Sequence, residues 1–481
     1  MSESGPGPER NWAVGTAPGI FPSIGHGIAL FRRPLDFLNS LPAHGDLVRI
    51  RLGPQHAWMV CHPDLVHEML KDARTFDKGG PQYDRLRPLM GQGVVTCPHG
   101  EHRRQRRLLQ PAFRAARVAA HTELMAEEAE AVCRTWRAGA PVDVSAEMMT
   151  LTTRVMSRVL FSDSLDAATA SEIRDCLGVV VRGLFVRTVV PLDAVFRLPA
   201  PANLRYRRAL ARLHTLIDTL IAERRHAGTG RDDLLGTLLR AADGGGTETV
   251  TERVTEQEVH DQLLTLLLTG VETTALLLAS ASSLLARHPQ AEQLLHEEVD
   301  TVLAGRSRPG PEDLPHLVHT RCVLTETLRH SPPGWLFTRV TTRETELAGQ
   351  RLPRGTTVLY SPYLLHHDPA SFPEPDRFLP ERWLPGRGGA ERPGAMIPFA
   401  AGSRKCLGDA FAMAEATLAL ATIAAHWRLR HRPGPVRTPR PAVTLGPRSL
   451  VMTCAPRTPR TAVGSLVPDS RTAGGNGVDD A

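Results

Sequence analysis

The alternation of hydrophobic and polar residues predicts a mostly helical chain with a small amount of β-sheet. Apolar residues recur at helical spacing from about Pro63 to Arg329, without the regular alternation of strands and helices that marks a parallel sheet. Strand-like segments stand before and after this helical region. We predict a hairpin of Asp46–Leu52 and Ala57–Cys61, a short helix at Asp232–Ala242, strands at Glu346–Leu352 and Thr356–Tyr360, proline-rich loops over 362–398, and a helix at Ala410–His426.

One predicted helix is long and very apolar. A capping box at Thr255 and Glu258 marks its start, and Pro289 follows its end. Its segment Leu263–Ala286 is long enough to cross a membrane, but Glu272 lies near its centre, where a charge in lipid costs on the order of 3 kcal/mol. We therefore predict no membrane span and a helix buried in the middle of a large globular domain.

The composition is that of a folded, globular protein. Of the 481 residues, 42% are hydrophobic and 22% are charged, which excludes a disordered or collagen-like chain. The formal net charge is +6, and no basic stretch is interleaved with aromatic residues, so we expect no nucleic-acid partner. Residues 1–14 and 457–481 are rich in small and turn-forming residues, and we expect flexible tails there.

Cysteine usage points to a reducing compartment. The seven cysteines are widely spaced and odd in number, and no CxxC occurs, which argues against a disulfide framework and a cysteine-rich zinc site. The N-terminal residues lack the pattern of a signal peptide, so we expect a cytoplasmic protein. Three of the 57 basic residues are lysines, namely Lys71, Lys78 and Lys405, and we attribute the excess of arginine to a GC-rich genome.

The strongest chemical signal is the string FAAGSRKCLG at residues 399–408, just before a predicted helix. Cys406 lies there between glycines, near a helix N-terminus and two residues after Arg404, and both neighbours stabilise a thiolate. Such a thiolate is a nucleophile or a metal ligand. A lone cysteine is more often inert and buried, but chance produces the pattern FxxGxRxCxG only on the order of 10⁻⁴ times in a chain of this composition.

This pattern resembles the haem-binding loop of the cytochrome P450 family of haem-thiolate monooxygenases. The resemblance implies haem b as cofactor and Cys406 as its axial iron ligand. It also implies that Arg404 pairs with a haem propionate and that Phe399 packs beside the sulfur. Since further motifs follow in the family's order, we expect one domain over 15–456 with the family's mainly α fold, minor β, a long central helix over the haem and a small β-rich region.

The central helix carries a second resemblance. Residues 269–274, TGVETT, are similar to the oxygen-activation motif of the family. This implies that Glu272 and Thr273 are catalytic and relay protons from solvent to the bound oxygen. The alternative is a threonine-rich packing helix with one satisfied glutamate.

Three basic residues resemble the family's propionate ligands. His102 and Arg106 form the spacing HxxxR, and Arg339 follows the Pro332-Pro333 turn. The resemblance assigns all three to haem binding. For the neighbouring Arg103, Arg104 and Arg107 an exposed basic helix face is the favoured interpretation.

Two other segments resemble the structural core of the family. Glu326 and Arg329 form an ExxR pair on one helix face, and residues 380–383 read PERW where the family usually has PERF. The resemblance implies a buried network of Glu326, Arg329 and Arg382 that braces the haem loop. We interpret this network as structural rather than catalytic.

These resemblances predict a haem-dependent monooxygenase that acts on a hydrophobic small molecule with dioxygen. Because the chain contains no flavin or iron–sulfur segment, electrons are expected from a ferredoxin and its ferredoxin reductase. An acidic ferredoxin would suit a basic face, for which we nominate Arg104, Arg107, Arg404 and Lys405. We expect a monomer.

The substrate is predicted to be a terpene of secondary metabolism. The segments expected to line the pocket, Val179–Val190, Leu264–Leu268 and Trp335–Phe337, are apolar. The overall sequence resembles bacterial sesquiterpene oxidases. The alternatives are a haem-thiolate oxidase of a fatty acid, polyketide or steroid, a peroxide-driven enzyme, and a non-catalytic haem protein.

Overall fold

Helices dominate the part of the chain that the structure describes. The computed structural model describes residues 11–19, 25–162, 165–189, 193–228, 233–243, 254–392, 394–434 and 441–457. The helices are α1 Gly27–Arg32, α2 Pro34–Ser40, α3 Pro63–Lys71, α4 Pro81–Met90, α5 His99–Leu109, α6 Ala115–Ala120, α7 Thr122–Cys133, α8 Val144–Phe161, α9 Ala167–Val189, α10 Asp193–Arg197, α11 Pro201–Ala227, α12 Leu234–Ala242, α13 Glu256–Leu285, α14 Pro289–Leu303, α15 Val318–His330, α16 Pro362–His366 and α17 Asp409–His426.

The strands form small sheets, the largest of which has the order β1-β2-β3-β9-β6-β4. In this sheet β1–β2 and β3–β9 are parallel and the other pairs are antiparallel. A second sheet has the order β10-β11-β5, and β7 pairs with β8. The strands are β1 Val14–Thr16, β2 Leu47–Leu52, β3 Gln55–Val60, β4 Phe76–Asp77, β5 Pro141–Asp143, β6 Phe337–Thr341, β7 Thr345–Leu347, β8 Gln350–Leu352, β9 Thr357–Tyr360, β10 Trp427–His431 and β11 Val451–Pro456.

The predicted hairpin is confirmed as the antiparallel pair of β2 and β3. Its alternating apolar residues divide between the two faces of the sheet. Leu47 and Val60 pack with α3 and β9 in one core, whereas Val48 and Met59 pack with α2 in another. The sheet therefore joins the N-terminal segments to the region around residue 360.

The long apolar helix, α13, is confirmed as a core helix. Thr255 caps it, and its hydroxyl and the Glu258 carboxylate make the two hydrogen bonds of the predicted capping box. Among the described residues, α13 is the one helix long and apolar enough to cross a membrane, and 83% of its most apolar window is buried inside the protein. It packs against α8, α11, α12, α15 and α17. Most of the surface of this helix lies in the main core.

Some element predictions need correction. The single strand predicted at Glu346–Leu352 is a hairpin of β7 and β8, because Ala348 and Gly349 turn the chain with positive φ angles of 54° and 73°. The strand β6 was not predicted, since three of its five residues, Thr338, Arg339 and Thr341, are polar and give no apolar alternation. The short helix predicted from Asp232 begins at Leu234, while Asp232 itself lies outside the described residues.

The predicted tails fall mostly outside the described residues, namely at 1–10 and 458–481. Residues 11–14 of the N-terminal tail are described, and there the Ala13 amide donates to Asp46 Oδ2 at 3.0 Å. The extents of the tails and of the domain over 15–456 stay predictions.

Candidate active site

The loop before α17 holds Cys406 in a fixed backbone conformation. The Cys406 amide donates to the carbonyl oxygen of Phe399 at 2.9 Å, which closes the loop. Gly402 has a φ of 70°, and a Cβ there would lie 2.1 Å from the carbonyl oxygen of Leu70 at the end of α3. Only glycine fits this close approach, so the loop is locked against α3.

The Cys406 thiol lies in a recess. Its side chain is accessible, yet desolvation by the surrounding protein raises its pKa. A hydrogen bond from the Gly408 amide and the charges of Lys78 and Arg106 oppose that rise. Because α17 begins at Asp409, the predicted position of the thiol next to a helix N-terminus is confirmed. The thiol thus has accessible surface and yet is surrounded by enough protein to be poorly solvated.

Basic side chains gather beside this thiol. Arg404 is buried, and its guanidinium donates to Asp77 Oδ1 at 2.7 Å and to the Cys97 carbonyl at 3.1 Å. Desolvation and then repulsion from Arg339 and Arg404 lower the pKa of Lys78 to about 7. This group of Lys78, Arg339 and Arg404 therefore concentrates positive charge in a small buried region.

Arg339 is buried without an acidic partner. It is 2% exposed, and its guanidinium donates to the hydroxyls of Tyr83 and Tyr360, each at 3.4 Å, and to the Thr338 carbonyl at 3.0 Å. In the described part of the chain no carboxylate lies within ion-pair distance of it. A buried guanidinium held only by neutral groups is poised for an anionic ligand.

Helix α5 supplies His102 and Arg106 to the same region. His102 is buried, and desolvation followed by repulsion from Arg404, Lys78 and Arg106 lowers its pKa to about 3. His102 is therefore neutral at pH 7 and can offer one N–H donor. Arg106 Nη1 donates to the Lys405 carbonyl at 2.6 Å, which ties α5 to the loop of the thiol.

The middle of α13 opens towards accessible space on one side. Thr269, Gly270 and Thr273 are partly accessible, whereas the residues around them are buried. The hydroxyl of Thr273 donates to the Thr269 carbonyl at 2.7 Å. Glu272, 8% exposed, instead accepts a hydrogen bond from Thr444 Oγ1 at 2.9 Å and lies 3.6 Å from Arg448. Glu272 and Thr273 are thus adjacent in the sequence, but their side chains make hydrogen bonds with different groups.

Comparison with known proteins identifies this arrangement. The profile of the cytochrome P450 family matches residues 16–453, which includes every residue described above. The chain belongs to the cytochrome P450 family.

Relatives of this cytochrome P450 match it over nearly its whole length. Cyclooctatin synthase of Streptomyces melanosporofaciens is 49% identical and covers 93% of this chain and 97% of its own. Cyclooctat-9-en-7-ol 5-monooxygenase of the same organism is 48% identical, with 94% and 97% covered. Pentalenene oxygenase of Streptomyces avermitilis is 43% identical, with 94% and 99% covered. The expected resemblance to bacterial terpene cytochromes P450 is thereby confirmed.

The fold of this cytochrome P450 is similar to that of a solved structure, the haem domain of cytochrome P450DA. The TM-score is 0.83 at 27% identity, with 94% of this chain and all of that chain covered. The predicted mainly α fold with minor β is confirmed.

The residues present fit haem b, the cofactor of the family. The recessed thiol of Cys406 offers a soft ligand for iron, and thiolate ligation favours O–O cleavage. The buried cations, above all Arg339, complement the two carboxylates of the porphyrin. The chain is therefore a haem-dependent monooxygenase, which takes a hydrophobic substrate and receives electrons from redox partners.

The predicted ExxR network of this cytochrome P450 is present. Glu326 and Arg329 are fully buried and 2.9 Å apart, and Arg382 Nε lies 3.5 Å from Glu326 Oε1. Trp383, which stands where the family usually has Phe, donates its indole N–H to Glu326 Oε2 at 2.8 Å. Arg329 also donates to the Pro375 and Arg377 carbonyls, so the network fixes the segment before the haem loop.

The prediction of a basic surface face was wrong for two of its four residues, Arg104 and Arg404. Arg404 is buried against Asp77, because its guanidinium lies under the loop. Arg104 pairs with Glu101 and with Glu258 at the start of α13, which ties α5 to the central helix. Arg107 and Lys405 remain at the surface.

Sequence reasoning missed several contributors to the site. Lys78 belongs to the cationic group, and the hydroxyls of Tyr83 and Tyr360 contact Arg339 in that group. Thr444 and Arg448 contact Glu272. Because the chain has only three lysines, the presence of Lys78 was a signal in the sequence that could have marked this position as a candidate site residue. The others belong to no motif and meet the site only through the fold.

Proposed function

We propose that this cytochrome P450 hydroxylates a ring carbon of a polycyclic terpene, either the hydrocarbon or its monohydric alcohol, in secondary metabolism. The observation that carries this proposal is the near-complete alignment, at 43–49% identity, with the three Streptomyces enzymes. Their names include an olefin, pentalenene, and an unsaturated alcohol, cyclooctat-9-en-7-ol. We assign the same class of substrate to this chain and leave the size of its carbon skeleton to the test below.

In this proposal the haem b is held by residues of four segments. The thiolate of Cys406 ligates the iron, with Phe399 beside it in the same loop. The propionates are held by the basic group next to the thiol, which comprises Lys78, His102, Arg106, Arg339 and Arg404. When bound, the haem supplies the iron centre at which dioxygen is activated.

Apolar packing supports a hydrocarbon substrate. Val180 and Leu184 of α9 and Leu264 of α13, from the segments predicted to line the pocket, are buried and belong to the main core. Trp335 is also buried, and its indole N–H donates to the Ala442 carbonyl at 2.9 Å. A pocket lined by these apolar segments would bind a terpene by burial, at roughly 25 cal/mol per Å² of apolar surface, and would offer few polar groups to orient it.

Glu272 and Thr273 deliver protons in this proposal. Thr273 lies at the accessible side of α13, and its hydroxyl oxygen keeps lone pairs free to accept a proton while it donates to Thr269. Burial raises the pKa of Glu272, which makes its carboxyl a better proton donor near neutral pH. This pair favours dioxygen over peroxide as the oxidant.

We assign the electron donor to an acidic ferredoxin served by a ferredoxin reductase, and we place a monomeric enzyme in the cytoplasm. Arg103 and Arg107 are exposed on α5, the helix that also carries Arg106, and Lys405 is half exposed beside the ligand loop. Positive charge at this position would steer an acidic partner to the loop that carries Cys406.

A titration with candidate substrates tests the substrate class. Terpene hydrocarbons and terpene alcohols of several carbon skeletons are expected to shift the Soret band of the haem-loaded protein, and product analysis is expected to show one added oxygen. Fatty acids, a polyketide and steroids serve as controls. A shift and turnover with one of those controls, and with no terpene, contradicts the proposal.

Charge reversal tests the electron donor. Arg103→Glu with Arg107→Glu is expected to slow haem reduction by an acidic ferredoxin about tenfold or more at low salt, because steering is lost. Arg197→Glu, an exposed arginine on α10, is the matched control and is expected to leave the rate unchanged. Equal reduction rates in the double variant and the control would exclude this face.

A further inference from the structure

Residues 441–450, which precede the final strand β11, reach back to the central helix α13. Within it the Leu445 amide donates to the Pro333 carbonyl at 2.9 Å. On the other side, Ser145 Oγ of α8 donates to the Pro447 carbonyl at 2.8 Å. Residues 445–447 are therefore anchored on two sides, and the side chains just before and after them have fixed positions.

The side chains on either side of these anchors converge on Glu272. Thr444 Oγ1 donates to Glu272 Oε1 at 2.9 Å, and Arg448 Nη2 lies 3.6 Å from the same oxygen. Arg448 Nη2 also donates to Thr444 Oγ1 at 3.4 Å. The three groups form a closed triangle, and two of its corners come from a segment more than 170 residues away from the third.

Burial and nearby charges determine the protonation of Glu272 and Arg448, and therefore the strength of the contacts in this triangle. Burial raises the pKa of Glu272, and Arg448 and then Thr444 oppose that rise. Burial lowers the pKa of Arg448, attraction to Glu272 opposes this, and repulsion from Arg182 on α9 adds to it. Glu272 and Arg448 are thus 3.6 Å apart in a poorly solvated place, with Arg182 as a further cation close by.

We propose that Arg448, assisted by Thr444, is a positioning residue for Glu272, the acid that delivers protons. The contact with Thr444 and Arg448 fixes the orientation of the Glu272 carboxyl. It also sets the pH range in which Glu272 can pass a proton to Thr273. The proposal rests on the proposed role of Glu272. The proton leaves an Oε atom of Glu272 for Thr273 Oγ1, which releases its own proton into the cavity, and solvent reprotonates Glu272. While it accepts from Thr444 and lies beside Arg448, the Glu272 carboxyl is turned away from Thr273, so delivery requires that it leave this contact.

Infrared titration of the haem-loaded enzyme tests the contact without any substrate. The stretching band of the protonated Glu272 carboxyl is assigned by its loss in Glu272→Gln. In Arg448→Gln the band is expected to persist to a pH about one unit higher than in the native protein, because an opposite charge within about 4–6 Å is lost. Arg448→Lys is expected to restore most of the native titration, and Thr444→Val to shift it in the same direction as Arg448→Gln but by less.

Peroxide release provides the second readout. Arg448→Gln is expected to raise the fraction of the electrons supplied by the redox partners that is lost as hydrogen peroxide, and to shift the pH dependence of this fraction to higher pH. If Arg448 were merely structural, the substitution would lower the rates of product formation and of peroxide formation alike. Arg430→Gln is the matched control, since it breaks an ion pair of similar exposure with Glu292, 2.7 Å long, on β10 and α14.

Two outcomes overturn the proposal. One is an identical infrared titration of Glu272 in the native protein and Arg448→Gln, and the other is an equal pH shift in Arg430→Gln. A failure of the terpene assignment is distinguishable from both, because the infrared titration needs no substrate.

Discussion

Gly402 illustrates how a single residue determines whether the cofactor can be held. Its φ of 70° and the Leu70 carbonyl, 2.1 Å from where a Cβ would lie, leave no room for a side chain. Gly402→Ala is expected to strain the loop by about 1–3 kcal/mol and to reduce the haem content of the purified protein several-fold. Haem per chain, from the pyridine haemochrome assay, and the melting temperature measure this.

Gly408 offers the matched control for that substitution. Its φ is −100°, and a Cβ there would meet Phe113 at an ordinary contact distance of 3.6 Å. Gly408→Ala is therefore expected to keep most of the haem. Equal haem loss in the two variants would mean that the loop is not locked against α3.

At the scale of single residues, the position of a side chain could be predicted from the sequence when it depends on residues close by in the chain. The thiol at a helix N-terminus follows from the glycines and Arg404 next to Cys406. The sequence failed where the role depends on a distant partner. Arg404 carries the same formal charge on a surface or in the interior, and its burial depends on a partner distant in the sequence, Asp77 at the end of β4.

At the scale of elements, the junction between α15 and the segment 380–383 depends on an indole. Trp383 donates to the buried carboxylate of Glu326, and a hydrogen bond to a charged group contributes more than one to a neutral group. Trp383→Phe, which introduces the usual residue of the family, is expected to lower the free energy of unfolding by about 1.5–3 kcal/mol. Urea denaturation measures the change.

Trp427 is the control for that substitution, because its indole donates to a neutral acceptor, the Cys133 carbonyl, at 3.1 Å. Trp427→Phe is expected to cost about 0.5–1.5 kcal/mol. A larger loss in Trp427→Phe than in Trp383→Phe would contradict the importance assigned to the indole in the Glu326 network.

The predicted elements with strong local signals were confirmed, whereas the strand β6, which has no such signal, was missed. The capping box at Thr255 and the apolar run behind it determine α13 almost unaided. The strand β6, by contrast, is a strand because it lies between β9 and β4, which supply its hydrogen bonds. Such pairing depends on segments far apart in sequence, which periodicity alone does not reveal.

At the scale of the whole molecule, buried neutral histidines determine the response to acid. Mainly because of desolvation, the pKa values of His102, His296, His366 and His367 fall to about 3 and that of His330 to about 4. The unfolded chain binds these protons near pH 6.5 and the folded chain does not. Stability is therefore expected to fall as the pH falls from about 6.5 to 4, by about 1.4 kcal/mol per pH unit for each such histidine.

Denaturation in urea at several pH values between 7 and 4.5 measures this loss. His330→Asn is expected to make the loss shallower, since it removes one such group whose Nδ1 makes no hydrogen bond in the described structure. His56→Gln, at an exposed position on β3, is the control and is expected to leave the slope unchanged. The same slope in all three proteins would contradict the prediction.

The family and the order of its motifs could be predicted from the sequence, but the full set of residues that form the site could not. Lys78 and Tyr83, Tyr360, and Arg448 come from three separate regions of the chain. Each is chemically ordinary in its own segment, and it gains a role only when the sheet and the core bring it beside Arg339 or Glu272.

The contact of Arg448 and Thr444 with Glu272, together with the pairing of β11 with β5 and β10, has a consequence for biosynthesis. A ribosome making about 5–20 residues per second releases α13 well before it releases these closing segments. The nascent chain therefore exposes an unfinished cavity for seconds or longer, and stable loading with the porphyrin is expected only after translation has passed residue 456.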